Sequence, residues 1–220
     1  MNKYSNIAKE VFDYLQKNRK EKGLNFSVRQ KASKGSETNY FIGTQKSRYF
    51  AFTFWNIPVS YPGSSVDLIN VVVYFDRYWN YTYKIQFYQT KNPTNLQNKC
   101  ALQLIKNIRP EISQAFARFN TGKSVAMEYY AIHGPKDKYS SVDEMVHDVF
   151  NDLNIISPIV EKAILSIKDE NPDFRAGLIA DKEFESMIER MKLRLAKYEK
   201  TKDVANVTNE EIMKEDEPKS

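Results

Sequence analysis

Three polar residues in the first half of the chain have types and spacing that suit metal-dependent chemistry. Asp67 precedes a predicted strand, and Gln89 and Lys91 end the strand after it. If the two strands are neighbours, the carboxylate can hold Mg²⁺ while the lysine positions a water molecule or stabilises charge. Glu10 on the first predicted helix would be a further ligand. In the alternative interpretation, Asp67 caps a loop and Lys91 contacts solvent or a phosphate group.

Other reactive residue types are scarce. His133 and His147 are the only histidines and Cys100 is the only cysteine, so the sequence contains no metal-ligand spacing and no pair for an internal disulfide. Residues 122–124 read Gly-Lys-Ser, but a phosphate-binding loop needs a glycine five residues earlier, where this chain has Ala117. We therefore expect no nucleotide-binding loop, and no cofactor except Mg²⁺ if the chain is a nuclease.

Charge is distributed unevenly along the 220 residues. Residues 1–125 contain 19 Lys and Arg and 7 Asp and Glu, a net charge of +12, whereas residues 126–220 contain 14 and 21, a net charge of −7. Halves of opposite sign favour a first half that meets a polyanion and a second half that tunes or shields it. The alternative is ordinary solvation of a lysine-rich surface.

Aromatic residues are concentrated in the basic part, where 16 of the 29 Phe, Tyr and Trp residues lie between Tyr40 and Tyr88. Strand formation and core packing explain many of them, but tyrosine hydroxyls need partners, and aromatic residues among basic ones suit stacking on nucleic-acid bases. Basic side chains would then bind phosphate groups. The predicted phosphate contacts are Arg29, Lys31, Lys34, Lys46, Arg48, Lys91 and Lys99.

Apolar periodicity predicts several helices. A repeat of four residues predicts the first, from Ser5 to Gly23, where the glycine takes the position of a C-terminal cap. Ser141 and Glu144 have the spacing of a capping box, which opens a long helix. The other predicted helices cover Leu96–Ile108, a segment from Pro110 to about Phe119, and Phe184–Tyr198.

Between these helices the period changes toward two, which predicts strands. The predicted strands are Phe26–Ala32, Tyr40–Gly43, Arg48–Trp55, Leu68–Phe75, Tyr81–Gln89 and Val125–Ile132. In Arg48–Trp55, the expected core face carries Phe50, Phe52 and Phe54, and Trp55 falls on the opposite face. The following stretch, Ile57–Ser65, is predicted to be a loop. The segment Phe75–Asn80 is predicted to connect the two strands beside it as a hairpin.

Together these elements predict an α+β fold in which a bent antiparallel sheet packs against helices, with a helical C-terminal extension. We expect an α+β DNA-binding domain over residues 1–168, a helical extension over 169–201 and a disordered acidic tail over 202–220. The chain contains no apolar run of a membrane span and begins with a polar segment unlike a signal peptide, so we expect a cytoplasmic protein.

The order of these segments resembles the N-terminal DNA-binding domain of McrB-type restriction systems, which act on DNA that contains modified cytosine. The matching segments, in chain order, are Tyr49-Phe-Ala-Phe52, Ile69–Phe75, Tyr81–Tyr88, Lys91–Thr94, a helix, Glu128–Ala131 and another helix. The resemblance covers about residues 5–165.

This resemblance implies that a modified cytosine is flipped out of the duplex into an aromatic-lined pocket, at a cost of about a few kcal/mol that stacking and base-edge hydrogen bonds offset. By position in the motif, the pocket residues are Phe41, Tyr49, Ile69 and Val73. Ile69 stands where the family has an aromatic residue, and Trp55 or Tyr61 would supply the missing stacking face.

We therefore expect a DNA-binding module that reads a modified base, such as a flipped 5-methylcytosine, in a restriction or anti-phage defence system. The module would be non-catalytic, and its partners would be double-stranded DNA and a separate nuclease or NTPase effector protein. The alternative is a Mg²⁺-dependent nuclease that uses Asp67, Gln89 and Lys91, an arrangement that resembles the PD-(D/E)xK group. A third interpretation is a non-catalytic protein whose basic surface binds an acidic protein.

Overall fold

A bent sheet of seven antiparallel strands, packed on one face against helices, forms the centre of the molecule. The computed structural model describes residues 4–31, 49–58, 67–76, 78–88, 95–124, 127–189, 191–193 and 196. The strands are β1 (Ser27–Lys31), β2 (Tyr49–Pro58), β3 (Asp67–Phe75), β4 (Tyr81–Tyr88), β5 (Phe119–Ser124), β6 (Met127–His133) and β7 (Gly177–Leu178). The helices are α1 (Tyr4–Lys22), α2 (Leu96–Ala115), α3 (Val142–Glu170) and α4 (181–189). The predicted α+β class is confirmed.

The strands lie in the order β1-β2-β3-β4-β6-β5, and the short β7 pairs with β2 beyond the end of β1. The hairpin predicted between β3 and β4 is confirmed, with Phe75 opposite Tyr81. Its turn is held by the Asp76 carboxylate, which accepts hydrogen bonds from the backbone N–H groups of Tyr78 and Asn80. The predicted strand Tyr40–Gly43 lies outside the described residues.

A β-bulge in β2 changes which of its side chains face the helices. Thr53 pairs with Val72, but the next paired residue is Trp55, which lies opposite Val71. Phe54 is therefore the extra residue, and both Phe54 and Trp55 belong to the buried core. The strict alternation predicted from the sequence, which placed Trp55 with Thr53, is wrong here because the bulge shifts the period by one residue.

Two predicted boundaries are also wrong. Strand β2 continues to Pro58, although a loop was expected from Ile57. The proline is tolerated because it lies at the end of the strand, where its missing N–H is not needed for pairing. Helix α2 passes through Pro110 without interruption, and a strand, not a helix, begins at Phe119. A proline inside a helix costs about 3 kcal/mol. We attribute the continuity to the apolar side of α2, which is buried on both sides of the proline.

The described helices contribute their apolar sides to one hydrophobic core with the sheet. Both predicted helix caps are confirmed. At the start of α3, Ser141 Oγ accepts a hydrogen bond from the N–H of Glu144, whose carboxylate accepts from the N–H and hydroxyl of Ser140 at 3.0 and 2.9 Å. At the end of α1, Gly23 has a φ of 64°, and Leu24 donates its N–H back to the last turn, as in a Schellman motif.

The segment predicted as a C-terminal extension (169–201) shares its core with the sheet. Phe174, Ile179 and Phe184 are buried in the same cluster as the strands. The predicted tail, 202–220, lies outside the described residues. None of the helices in the described ranges has both the length and the apolar character that crossing a bilayer requires.

Arg19 of α1 holds the start of α4. Its guanidinium carbon lies 4.0 Å from the ring centroid of Phe184, and its side chain is only 7% exposed. The same group donates to Asn25 Oδ1 at 2.7 Å and pairs with Asp181 and Glu185. A buried guanidinium needs such partners, and these connect α1 to α4.

Replacing Arg19 with methionine keeps an apolar stem against Phe184 but removes the charge and its hydrogen bonds. We expect Arg19→Met to lower the free energy of unfolding by about 2 kcal/mol. Urea denaturation measures the change, and Lys20→Met, on the exposed side of the same turn, is the matched control. Equal stability of the two variants would contradict the anchoring role.

The cap of α3 predicts a pH dependence. The backbone N–H of Ser140, followed by its hydroxyl, lowers the pKa of Glu144 below its ordinary value of 4.5. A carboxylate with a lowered folded-state pKa stabilises the fold above its unfolded pKa and loses that contribution as the pH falls through the folded value. Glu144→Gln should therefore be less stable than the parent at pH 7 and equally stable in acid below the folded pKa. Thermal denaturation across this range checks the sign, and a pH-independent difference would contradict it.

Candidate functional site

The face of the sheet turned away from the core, here called the polar face, carries Lys84 at its centre. Lys84 lies in β4 between Val72 of β3 and Ala131 of β6. Its position follows from the alternation of β4, in which Tyr83 and Ile85 are buried in the core and the residues between them point the other way.

Two tyrosines flank this lysine. The Nζ atom of Lys84 lies 5.0 Å from the ring centroid of Tyr74 and 5.0 Å from that of Tyr129. The Tyr74 hydroxyl donates to Gln86 Oε1 at 3.3 Å. We call Tyr74, Lys84, Gln86 and Tyr129 the cation–aromatic cluster. Gln86 is buried, and the other three are half-buried.

The electrostatics of the cluster favour an anionic or planar ligand. A cation within about 6 Å of a ring centroid is attracted by the ring, by roughly 0.5 to 2 kcal/mol depending on solvent exposure. Within the described part of the chain, Lys84 forms no ion pair, so its charge is not neutralised by a carboxylate. At the edge of the same face, Thr82 Oγ1 and His133 Nδ1 lie 3.2 Å apart.

Small side chains surround the cluster. Ala51, Val72 and Ala131 are buried but lie outside the hydrophobic core that faces the helices. The Thr53 hydroxyl, opposite Val72, is fully buried and has no hydrogen-bond partner in the described part of the chain. Small apolar groups beside half-buried rings are surroundings that suit a methylated planar group.

The position of Tyr129 depends on a glycine. Gly122 of β5 lies directly opposite Tyr129, and a Cβ atom at position 122 would overlap the end of the tyrosine ring. The ring therefore lies over the backbone of the edge strand, as aromatic residues do opposite a strand glycine.

Of the residues predicted for a base pocket, the structure describes the side chains of Val73 and Trp55. Val73 is fully buried, and Trp55 is 3% exposed, both in the core on the helix side. The buried indole Nε1 of Trp55 has no hydrogen-bond partner among the described residues. Tyr49 and Ile69 lie in β2 and β3, opposite Lys31 and Ile57, but their side chains are outside the described part. Phe41 and Tyr61 are outside the described residues altogether.

Most of the predicted phosphate contacts have side chains that lie outside the described part of the chain. Lys99 is exposed in the first turns of α2. Arg29 and Lys31 lie in β1, but their side chains are not described. The remaining predicted contacts, Lys34, Lys46, Arg48 and Lys91, fall outside the described residues.

The proposed nuclease residues are not brought together in the described ranges. Asp67 begins β3 opposite Pro58, Glu10 is exposed on α1, and Gln89 and Lys91 lie outside the described residues. Among the residues that the structure describes, no group of three or more His, Cys, Asp or Glu side chains is placed to hold a metal ion.

The chemistry of the polar face has to be judged from its own side chains. No family model, curated protein or solved structure matches this chain. The resemblance to readers of modified cytosine stays a prediction. By its composition, the cation–aromatic cluster can stack a planar group, attract an anion and present a side-chain amide.

None of the four cluster residues was predicted as a site residue from the sequence. A signal for part of the cluster was present, because strict alternation in β4 places Lys84 and Gln86 on the face opposite Tyr83. Tyr74 comes to Lys84 through the β3–β4 hairpin. Tyr129 comes to Lys84 through the pairing of β6 with β4, and the pairing of strands distant in sequence has no local signal.

Two glycines, each opposite a tyrosine ring, give a matched pair of substitutions. In Gly122→Ala the half-exposed ring of Tyr129 can move aside, so we expect little loss of stability but a lost contact with Lys84. In Gly134→Ala the new Cβ lies 2.7 Å from the ring of Tyr81, which is buried and hydrogen-bonded, so stability should fall by about 1–3 kcal/mol. Thermal denaturation and the ring-current shift of the Lys84 ε-protons in NMR spectra distinguish the two. A ring-current shift that survives Gly122→Ala would contradict the placement of Tyr129.

Proposed function

We propose that this protein is a non-catalytic DNA-binding module that reads a modified base in a restriction or defence system. The observation that carries the proposal is Lys84, held between the rings of Tyr74 and Tyr129 with no carboxylate partner in the described part of the chain. Cations interleaved with aromatic rings are typical of surfaces that bind nucleic acid.

The cluster offers each interaction that a single base requires. Stacking on a tyrosine is worth about 1–3 kcal/mol per base, enough to offset the roughly similar cost of unstacking it from a duplex. The Lys84 ammonium can donate a hydrogen bond to an acceptor atom on a base edge. The half-buried rings of Tyr74 and Tyr129 would contact the methyl group of 5-methylcytosine, as apolar side chains contact the methyl of thymine.

The charge distribution supplies the second argument. The net charge of +12 over residues 1–125 suits the phosphate backbone, which provides most of the non-specific affinity of DNA-binding proteins. Arg29 and Lys31 lie in β1, opposite Ala51 and Tyr49 at one side of the sheet. In this proposal basic residues hold the duplex in place, and the cluster distinguishes the base. Cleavage would require a separate nuclease or NTPase effector.

A binding experiment tests the proposal directly. Duplexes that contain cytosine, 5-methylcytosine or 5-hydroxymethylcytosine at one position are titrated with the full chain at several salt concentrations. We expect the modified duplex to bind more tightly, and the logarithm of the association constant to fall with the logarithm of salt by about 0.9 per phosphate contact. Absence of binding at low salt would reject the DNA-binding function, and equal affinity for all duplexes would reject base reading.

The role of the cluster is tested with Lys84→Met, which keeps the aliphatic stem and removes the charge. We expect it to weaken binding by about fivefold or more. Lys106→Met, which removes an exposed charge from α2 on the helix side, is the matched control. If both variants bind as the parent does, the polar face is not the DNA-binding surface.

A further inference from the structure

Two cations at one end of the sheet, Arg118 and Lys138, have no part in the proposed base-reading cluster. Arg118 directly precedes β5, and Lys138 lies in the connection from β6 to α3. Their side chains are 41% and 56% exposed. Neither residue was among the phosphate contacts predicted from the sequence.

Each cation is held by a carboxylate of α3. Arg118 donates through one terminal nitrogen to Asp152 Oδ2 at 2.6 Å, and Lys138 donates to Asp148 Oδ2 at 2.8 Å. The two aspartates are one turn apart on α3, so the two ion pairs lie side by side. One donation leaves the remaining N–H groups of a guanidinium for another acceptor.

A pair of tyrosine hydroxyls joins the two ion pairs into one network. The Tyr81 hydroxyl donates to Asp152 Oδ2 at 3.1 Å, and the Tyr139 hydroxyl donates to Asp148 Oδ2 at 2.8 Å. The two hydroxyl oxygens are 3.5 Å apart, and each hydroxyl gives its single proton to an aspartate. The two ion pairs therefore lie next to each other at these hydroxyls, with Arg118 and Lys138 as the exposed ends.

Aromatic rings limit the movement of both cations further. The guanidinium carbon of Arg118 lies 5.5 Å from the ring centroid of Phe116, and Lys138 Nζ lies 5.4 Å from that of Tyr139. Exposed ion pairs contribute little to stability, about 0–1 kcal/mol. Because each cation is partly exposed and donates to one carboxylate oxygen, its remaining N–H groups can donate to a phosphate group.

We propose that Arg118 and Lys138 form a second contact, which binds phosphate groups of the DNA backbone and is positioned by the Tyr81–Tyr139 network. The inference rests on the proposed DNA-binding function, and it adds a site at the end of the sheet where β4 and β5 begin. The exposed Lys136 lies in the same connection as Lys138 and adds a third cation, next to the exposed Asp137. Holding a cation in the binding geometry beforehand reduces the entropy lost when the phosphate binds.

The experiment compares Arg118→Gln and Lys138→Gln with Lys162→Gln in DNA binding across salt concentrations. Lys162 is the matched control, because it is also exposed and paired with a carboxylate, Glu111 at 3.0 Å, but joins α3 to α2 in the helix layer. We expect each of the first two variants to bind about fivefold more weakly and to lower the salt slope by about 0.9, and the control to change neither.

Tyr139→Phe tests the positioning role without changing any charge. It removes the hydroxyl that donates to Asp148 and lies beside the hydroxyl of Tyr81. We therefore expect weaker binding than the parent with both cations still present, in a protein whose thermal denaturation shows that it is folded. Unchanged affinity in this variant would overturn the positioning role.

The possible failures are distinguishable. If the parent chain binds DNA and the Arg118 and Lys138 variants behave as the Lys162 control does, the second contact is overturned while the proposed function stands. If the parent chain binds no DNA at low salt, the proposed function fails and the second contact fails with it.

Discussion

The burial of two tyrosine hydroxyls between the sheet and α3 is the constraint on which the rest of the structure depends. Tyr83 is fully buried and donates to the carbonyl of Val149 at 2.7 Å, while Tyr81 donates to Asp152. A buried hydroxyl left without a partner costs about 1–3 kcal/mol, so α3 cannot slide along the sheet without losing both bonds. Burial also raises the pKa of both phenols, which therefore remain neutral donors at physiological pH.

Side chains of β4 alternate between the core and the polar face, so the same strand contributes to the core and to the candidate site. Tyr81 and Tyr83 fix the helix layer, and Lys84, which follows Tyr83, is directed to the polar face. Both faces are built on the same paired strands. The backbone pairing that holds the core therefore also sets the distance between Lys84 and the rings of Tyr74 and Tyr129. A ligand that binds there meets side chains whose positions do not depend on flexible loops.

The sequence predicts what depends on local patterns. Capping at Ser141 and Gly23, the β3–β4 hairpin and the α+β class all follow from residues close together in the chain, and the structure confirms them. The bulge at Phe54 and the passage of α2 through Pro110 depend on tertiary packing, which overrides the local signal. For the same reason the cation–aromatic cluster was missed, since its residues come from β3, β4 and β6 and meet only when the sheet has formed.

The contact between Arg19 and Glu185 joins positions 166 residues apart, and this separation has a consequence for the order of folding. The hairpins of the sheet connect strands close in sequence and can form early, whereas Phe26 gains its contact with Phe184 only after almost all of the described chain has been synthesised. Until then, an aromatic surface beside α1 stays uncovered on the nascent protein. Because α4 covers this surface late, the surface is exposed to chaperones and to aggregation during synthesis.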